Sequence, residues 1–306
     1  MSTIEPANSW YPSGTAFARL AGMSAHPMPH RSCAPLRGIA SLAAAIALSV
    51  TATARAAGAD LVEAHPGNLP LILTAPHDGD RQPDFAPRRG TGTTVRDLHT
   101  AELALNVARR IQELTGAAPY VVIARFARQY ADANRDPDEA VETEQARPAY
   151  AAYHAQITSW VEEVRARFPQ AALLVDVHGQ GAEAGTVFIG TRNGLTLRAL
   201  IRDQGPGVLY GPQGLATLLA RRGVRVVPGA ADDARREDRR FNGGYTVFHY
   251  GSNNPAGVDA IQLESGLALR RDPRYAQDLA EALVEFMRAL GRLPATPPPL
   301  AGAPGR

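Results

Sequence analysis

Six short apolar runs, each bounded by turn-forming residues, are the feature that most constrains the fold of this chain. Runs of this length are typical of buried β-strands. Between several of them apolar residues recur at helical spacing, as in residues 97–114, 150–168 and 274–290. This alternation predicts an α/β fold with a single domain, in which helices flank a mixed, mostly parallel central sheet. The predicted strands are 69–75, 120–125, 172–177, 186–190, 224–227 and 258–264.

The segment that begins at Met28 has the layout of a secretory signal peptide. Arg31 and Arg37 precede an uncharged run over residues 38–54, and small residues around Ala56 fit a cleavage site. We interpret residues 1–56 as a non-native N-terminal extension plus a signal peptide, with the signal at about 28–56. We expect a single folded domain over residues 57–293 and a disordered Pro/Gly/Ala-rich tail over 294–306. The protein is therefore expected to be exported, either to the periplasm or as a secreted protein.

The residue composition excludes several classes of site and partner. Cys33 is the only cysteine, and it lies within the predicted signal peptide, so the mature chain has none. Disulfides, a cysteine nucleophile and thiolate ligands are thereby excluded, and any metal must be held by His, Asp and Glu, as in catalytic zinc sites. The 32 basic residues are all Arg and nearly balance 30 acidic residues, without a long basic block. We expect no nucleic acid as a partner and no membrane contact after signal cleavage.

Two histidines follow predicted strands directly. His77 comes after the run 69–75 and His178 after the run 172–177, and a glycine stands close behind each. Carboxyl ends of neighbouring parallel strands meet at one edge of a sheet, so the pair predicts a zinc site with Asp176 as a supporting group. Each histidine alone is also compatible with an ordinary turn or surface position. The third ligand is Asp97 or Asp80, although Asp97 could instead cap a helix and Asp80 could be a solvated loop charge.

Two polar clusters predict contacts with substrate. Arg135, with Asn134 beside it, could hold a carboxylate through its planar guanidinium, although a solvated turn is the alternative. Gly243 and Gly244 would allow a ligand to approach the backbone closely, and Tyr245 would place a hydroxyl there. Paired glycines are also common in simple turns.

Glu264 ends the last predicted strand and is a candidate general base. A carboxylate is costly to bury, so at this place it should face a cleft, a partner or a metal-bound water. It could take a proton from a water whose pKa a metal lowers. An ion pair with one of the many arginines is the alternative.

Taken in order, six short segments resemble the N-formylglutamate amidohydrolase family. No single segment is specific, but together they span nearly the whole mature chain. They are Pro76-His77-Asp78-Gly79, Thr94-Val95-Arg96-Asp97, Asp132-Ala133-Asn134-Arg135-Asp136, Asp176-Val177-His178-Gly179, Phe241-Asn242-Gly243-Gly244-Tyr245 and Gln262-Leu263-Glu264-Ser265.

The resemblance implies a fold like that of zinc carboxypeptidases and one zinc ion as the cofactor. It implies an amidohydrolase that acts on an N-acyl amino acid or a peptide-like acidic substrate. Carboxypeptidases use His-x-x-Glu, whereas this chain has Asp80 at the acidic place, and we prefer Asp97 as the ligand. The implied roles are zinc ligands for His77, Asp97 and His178, substrate binding for Asn134, Arg135, Gly243, Gly244 and Tyr245, and catalytic base for Glu264.

The predicted export separates this chain from the cytoplasmic hydrolysis of formylglutamate. An exported relative would act more plausibly on γ-glutamyl polymers, cell-wall peptides or scavenged N-acyl amino acids. The alternative from another class is an exported binding protein that keeps the fold without turnover.

Overall fold

The structure, a computed structural model, describes residues 60–229 and 236–294. Seven strands form one sheet in the order β1-β3-β2-β4-β7-β5-β6. All six predicted strands are present, and β1 was not predicted because it is short and only partly buried. The predicted signal peptide and nearly all of the predicted tail lie outside the described residues. The strands are β1 (Val62–His65), β2 (Leu71–Ala75), β3 (Tyr120–Ala124), β4 (Leu173–Gln180), β5 (Thr186–Gly190), β6 (Arg225–Val227) and β7 (Asp259–Gly266).

The middle of the sheet is parallel and its flanks are mixed. Strands β3, β2, β4 and β7 run parallel to one another, whereas β1 pairs antiparallel with β3 and β5 pairs antiparallel with β7. β6 pairs parallel with β5. The mixed, mostly parallel α/β sheet predicted from the sequence is confirmed.

Helices cover both faces of the sheet and enclose two apolar cores. One core joins the sheet to α1 and α8, through residues such as Val107 and Leu283, and the other joins it to α3, through Ile157 and Trp160. Among the described residues, no helix is long and apolar enough to cross a membrane. The helices are α1 (Thr100–Thr115), α2 (Pro137–Ala140), α3 (Arg147–Arg167), α4 (Arg198–Gln204), α5 (Leu215–Arg221), α6 (Tyr245–Tyr250), α7 (Leu267–Arg271) and α8 (Pro273–Ala289), with a 3₁₀ turn at Leu195–Leu197.

Local sequence explains where the long helices begin and end. α8 starts at Pro273, directly after Asp272, whose carboxylate accepts a hydrogen bond from the Arg274 amide. α1 ends at Gly116, which has a φ of 73° and donates to the Gln112 carbonyl. Both helices pack against the same face of the sheet; α8 begins beyond the carboxyl end of β7, and α1 ends at the opposite edge, before β3.

Candidate active site

The candidate site lies on one face of the sheet, at the carboxyl ends of three adjacent parallel strands. Side chains alternate between the two faces of a strand, so residues two apart share a face. On β4, Asp176 and His178 share one face, and they pair in register with Gln262 and Glu264 on β7. Thr74 on β2 pairs with Asp176 and donates a 2.6 Å hydrogen bond to its Oδ1. Five polar side chains thus continue a face that is apolar farther back along the strands.

His77 and His178 meet at this edge, as predicted. Both are buried, and their ring centroids lie 4.8 Å apart. The Nδ1 atom of His77 lies 3.3 Å from Asp97 Oδ2, and the Nδ1 atom of His178 lies 3.4 Å from the same oxygen. Ligand atoms from these three residues all lie within 4.8 Å of one another, so the fold brings together the whole predicted ligand set.

A carboxylate holds the remaining nitrogen of each imidazole. His77 Nε2 lies 2.7 Å from Asp132 Oδ1, and His178 Nε2 lies 2.8 Å from Asp176 Oδ2. An imidazole that donates through Nε2 presents the lone pair of Nδ1, which here faces Asp97. Metal-binding histidines are usually oriented by carboxylates in this way. Asp176 was expected in this role, whereas Asp132 was noted only as part of the Asn134–Arg135 cluster.

Asp97 does not cap α1, so the helix-cap alternative is wrong. The residue before α1 is His99, which has a φ of 69° and makes no side-chain cap. The Asp78 carboxylate fills that role instead and accepts a 2.9 Å hydrogen bond from the Ala101 amide. Asp97 turns towards the histidines, where its Oδ2 also accepts from the Gly179 amide at 3.1 Å.

The other acidic candidate lies outside this cluster. The Asp80 side chain is 72% exposed and pairs with Arg96 at 3.3 Å. Asp80 is therefore a solvated loop charge, the alternative that the sequence allowed for it. Asp97 is therefore the carboxylate that the structure places with the two histidines.

The surroundings of the histidines favour positive charge. Burial opposes the charged form of His178, yet the carboxylates of Asp176, Asp97 and Glu264 raise its pKa well above the usual value. Burial would likewise raise the pKa of Asp97, but hydrogen bonds with His178 and His77 hold it far below its usual range. A divalent cation bound here would supply positive charge while leaving both imidazoles neutral.

Glu264 faces the same cluster from the end of β7. Its Oε1 lies 4.0 Å from His178 Nδ1 and accepts a 3.0 Å hydrogen bond from Gln262 Nε2. In the described part of the chain no arginine lies within ion-pairing distance of this carboxylate, so the predicted alternative of an Arg pair is not observed. Burial raises the pKa of Glu264.

The cluster opens into a cleft of about 610 Å³ that is rich in arginine. Arg128 lies beside the histidine cluster, with its Nε 3.0 Å from Asp132 Oδ2 and its Nη1 3.7 Å from Asp97 Oδ1. Sequence reasoning missed it because no motif surrounds it. Five arginines line the cleft, namely Arg128, Arg135, Arg192, Arg239 and Arg240.

The two residues of the predicted carboxylate-binding pair differ in accessibility. The Arg135 side chain is 45% exposed and lines the cleft. Asn134 is buried, and its Oδ1 accepts a 2.8 Å hydrogen bond from the Thr246 amide while its Nδ2 lies 3.3 Å from Gln262 Oε1. Arg135 is therefore accessible to a ligand, although its Nε lies 3.9 Å from Asp132 Oδ2. The amide of Asn134 mainly braces the loop against α6 and β7.

The glycine pair lines the cleft, whereas Tyr245 lines a neighbouring pocket. A Cβ atom on Gly244 would come within 2.1 Å of Asn134 Nδ2, and Gly243 has a φ of 111°, so both positions require glycine for local packing. Both glycines line the cleft. Tyr245 lies instead in the neighbouring pocket, where its hydroxyl is 3.1 Å from His249 Nδ1. Its role as a substrate-side hydroxyl stays a prediction.

Comparison with known proteins supports the family that the motifs suggested. The sequence model described as N-formylglutamate amidohydrolase matches residues 143–269, a range that contains His178, Gly243, Gly244 and Glu264. His77, Asp97 and Arg135 precede this range. His77 and Asp97 lie against His178, and Arg135 lines the same cleft. The resemblance to this family is confirmed. A comparison with curated protein sequences gives no match.

Several solved structures are similar to this chain. The N-formylglutamate amidohydrolase from Ralstonia eutropha shares 18% identity, with a TM-score of 0.48 and coverage of 75% of this chain and 97% of the other. A bacteriophage poly-γ-glutamate hydrolase shares 15% identity, with a TM-score of 0.37 and coverage of 75% and 88%. The N-acetylmuramyl-L-alanine amidase Ami1 from Mycobacterium smegmatis shares 12%, with a TM-score of 0.31 and coverage of 72% and 95%.

Proposed function

We propose that this relative of the N-formylglutamate amidohydrolases is a zinc-dependent hydrolase that cleaves an amide bond in an N-acyl amino acid or a peptide-like acidic substrate. One observation carries the proposal: Asp97 lies beside the Nδ1 atoms of both His77 and His178, while separate carboxylates hold the two Nε2 atoms. An arrangement that fixes both tautomers prepares two neutral imidazoles and one carboxylate for a single cation.

The residues present fit a catalytic zinc ion. Two imidazole nitrogens and one carboxylate are a common protein ligand set for catalytic zinc, and the mature chain offers no thiolate that would favour a structural site. His77, Asp97 and His178 would hold the ion. When bound, it would supply a Lewis acid that lowers the pKa of water and polarises the amide carbonyl.

Glu264 serves as the general base in this proposal. Its carboxylate faces the histidine cluster, and burial raises its pKa, which brings the group closer to the pH at which it must both accept and release a proton. It takes a proton from the attacking water and returns it to the leaving amine. Arg128, fixed by Asp132 beside Asp97, places a permanent positive charge on the same wall.

Arg135 anchors a carboxylate of the leaving part of the substrate. In an N-formylglutamate the formyl group carries no carboxylate, so both acidic groups belong to the amino acid that leaves. The guanidinium of Arg135 is exposed in the cleft and suits a planar carboxylate. Such an anchor holds the scissile amide in one position relative to Glu264.

A signal peptide over about residues 28–56, as predicted from the sequence, would put the reaction outside the cytoplasm. The substrate we propose is therefore an N-acyl amino acid scavenged by the cell, a γ-glutamyl polymer or a cell-wall peptide. An exported binding protein remains the competing class, and turnover separates the two.

The test is release of glutamate from N-formylglutamate by the purified protein before and after removal of metal with a chelator. We expect turnover that is lost on chelation and restored by one equivalent of zinc. Binding of the substrate without turnover at any metal load would favour the binding-protein alternative. Turnover that survives complete metal removal would contradict the zinc mechanism.

A further inference from the structure

A second pocket adjoins the candidate active site. It has a volume of about 600 Å³, and its lining includes aromatic and acidic residues, namely Tyr245, Phe248, His249, Asp136, Asp138 and Glu139. Arg135 and Arg192 line this pocket and also the cleft. Arg192 thus stands at the border of both, although no motif in the sequence pointed to it.

The backbone at Arg192 is held in a rare conformation. Arg192 and Asn193 have φ values of 50° and 53°, in the left-handed region that residues with side chains seldom occupy. Two consecutive residues in this region cost free energy, and such geometry persists only where the surroundings enforce it. Part of that enforcement is a 2.6 Å hydrogen bond from the Arg192 amide to the Asn242 carbonyl.

A buried carboxylate provides the rest. Glu237 is only 6% exposed, and its Oε1 accepts hydrogen bonds from both the amide and the hydroxyl of Thr191. Its Oε2 accepts a 2.8 Å hydrogen bond from the Asn193 amide. Glu237 therefore accepts hydrogen bonds from the residues on both sides of Arg192 and stabilises the turn. It forms no ion pair within the described residues, so an ion pair there does not account for its burial.

The Arg192 guanidinium packs against an aromatic ring and keeps its positive charge exposed to the cleft. Its guanidinium carbon lies 4.5 Å from the centre of the Phe248 ring, a contact that supports one face of the guanidinium and leaves the N–H edges open. Over the ranges that the structure describes, no carboxylate lies within ion-pairing distance of it. A cation that is fixed at the border of a cleft, and that pairs with no carboxylate of the described residues, suits an anionic ligand.

We propose that Arg192 is a specificity-determining residue that binds a second acidic group of the substrate, and that Glu237 is the positioning residue that holds it there. The inference rests on the proposed function, since it assigns the group to the leaving part of the same substrate. Arg135 would take one carboxylate and Arg192 the other.

The first experiment compares N-formylglutamate with N-formylglutamine, which lacks one of the two carboxylates. Wild-type protein should prefer the glutamate compound, and Arg192→Ala should lose about tenfold of that preference in kcat/KM. Arg221→Ala removes an exposed arginine at the end of α5, outside both pockets, and serves as the matched control with its preference unchanged. An undiminished preference in Arg192→Ala would overturn the proposal.

Calorimetry of glutamate against glutamine tests the same point without turnover. Wild type should bind glutamate more tightly than glutamine, and Arg192→Ala should lose this preference. That result would support the proposal even if neither formyl compound is cleaved. Absence of cleavage would contradict only the hydrolase function. If wild type binds glutamate and glutamine with equal affinity, and Arg192→Ala does the same, the proposed role of Arg192 would be overturned.

A double-mutant cycle tests Glu237. Glu237→Gln should raise KM for N-formylglutamate and leave kcat nearly unchanged, because it loosens the turn and does not touch the reacting atoms. In the Arg192→Ala background the same substitution should add no further rise in KM. Additive effects, or a loss confined to kcat, would show that Glu237 acts through the stability of the fold and not through Arg192.

Discussion

Asp132 and His77 are joined by a 2.7 Å hydrogen bond between Oδ1 and Nε2, and this contact decides which nitrogen of His77 faces Asp97. Arg128 donates to the other oxygen of Asp132 at 3.0 Å, so the carboxylate is fixed from both sides. The same relationship recurs at His178, where Asp176 holds Nε2 and is itself held by Thr74. The two histidines are thus oriented by partners that would not touch a metal.

Removal of the charge at Asp132 should therefore weaken metal binding without removal of a ligand. We expect Asp132→Asn to lower zinc affinity about 10–100-fold, the range typical when such a partner is lost. Competition with a chromogenic chelator measures this directly. Asp136→Asn, at an exposed position four residues on, is the control. Equal affinity in Asp132→Asn and wild type would show that Asp132 does not orient His77.

Loss of the general base should separate metal binding from turnover. Glu264→Gln removes the proton acceptor and keeps the shape of the side chain, so we expect zinc content to stay at the wild-type value while kcat falls by about 10²–10⁴-fold. Glu162→Gln, on the exposed side of α3, should change neither quantity. Turnover at the wild-type rate in Glu264→Gln would refute the assignment of the base.

Stability should decrease in acid because of His154. Burial lowers the pKa of this imidazole from 6.5 to about 4, while its Nε2 lies 3.0 Å from the Ala133 carbonyl, next to Asn134. The unfolded chain binds a proton near pH 6.5 and the folded chain near pH 4, so stability is present above the first value and is lost as pH falls towards the second. The loss amounts to roughly 3 kcal/mol.

Urea unfolding gives the free energy of unfolding of wild type and His154→Gln from pH 7.5 to pH 4. The difference between the two proteins isolates the contribution of His154, because all other titrating groups are the same in both. We expect the wild type to lose more stability on acidification than the variant does. Parallel pH profiles would contradict a neutral, partly buried His154.

Gly244 should tolerate no side chain. A Cβ atom at this position would lie 2.1 Å from Asn134 Nδ2, whose amide is already bonded to Thr246 and Gln262. We expect Gly244→Ala to lower the free energy of unfolding by about 1–3 kcal/mol. Gly185→Ala is the matched control, because a Cβ atom there would meet nothing within 4 Å. Equal denaturant midpoints for the two variants would contradict the close packing of Gly244 on Asn134.

The strands and the two histidines could be predicted because the information is local. An apolar run that ends in His, as at His77 and His178, marks both the strand and the place where it leaves the core. Glu264 follows the same logic on β7. β1 could not be predicted, since four partly exposed residues carry no clear period.

Other parts of the site depend on contacts between distant segments. Asp97 stands where a helix cap is common, and only the tertiary position of Asp78 shows that the cap is supplied from elsewhere. Arg192 and Glu237 lie 45 residues apart in the chain, and Glu237 bonds to the two residues that flank Arg192. No residue pattern predicts this turn. Such pairs become visible only once the fold has brought them together.

His77, Asp97 and His178 are expected to hold one zinc ion, and the metal content of Asp97→Asn beside Asp80→Asn tests this. Both variants lose one carboxylate from the same region of the chain, but only Asp97 lies with the histidines. Elemental analysis of the purified proteins should give about one zinc per chain for wild type and Asp80→Asn, and far less for Asp97→Asn. Loss of zinc in Asp80→Asn with retention in Asp97→Asn, or no zinc in any of the three, would contradict the account.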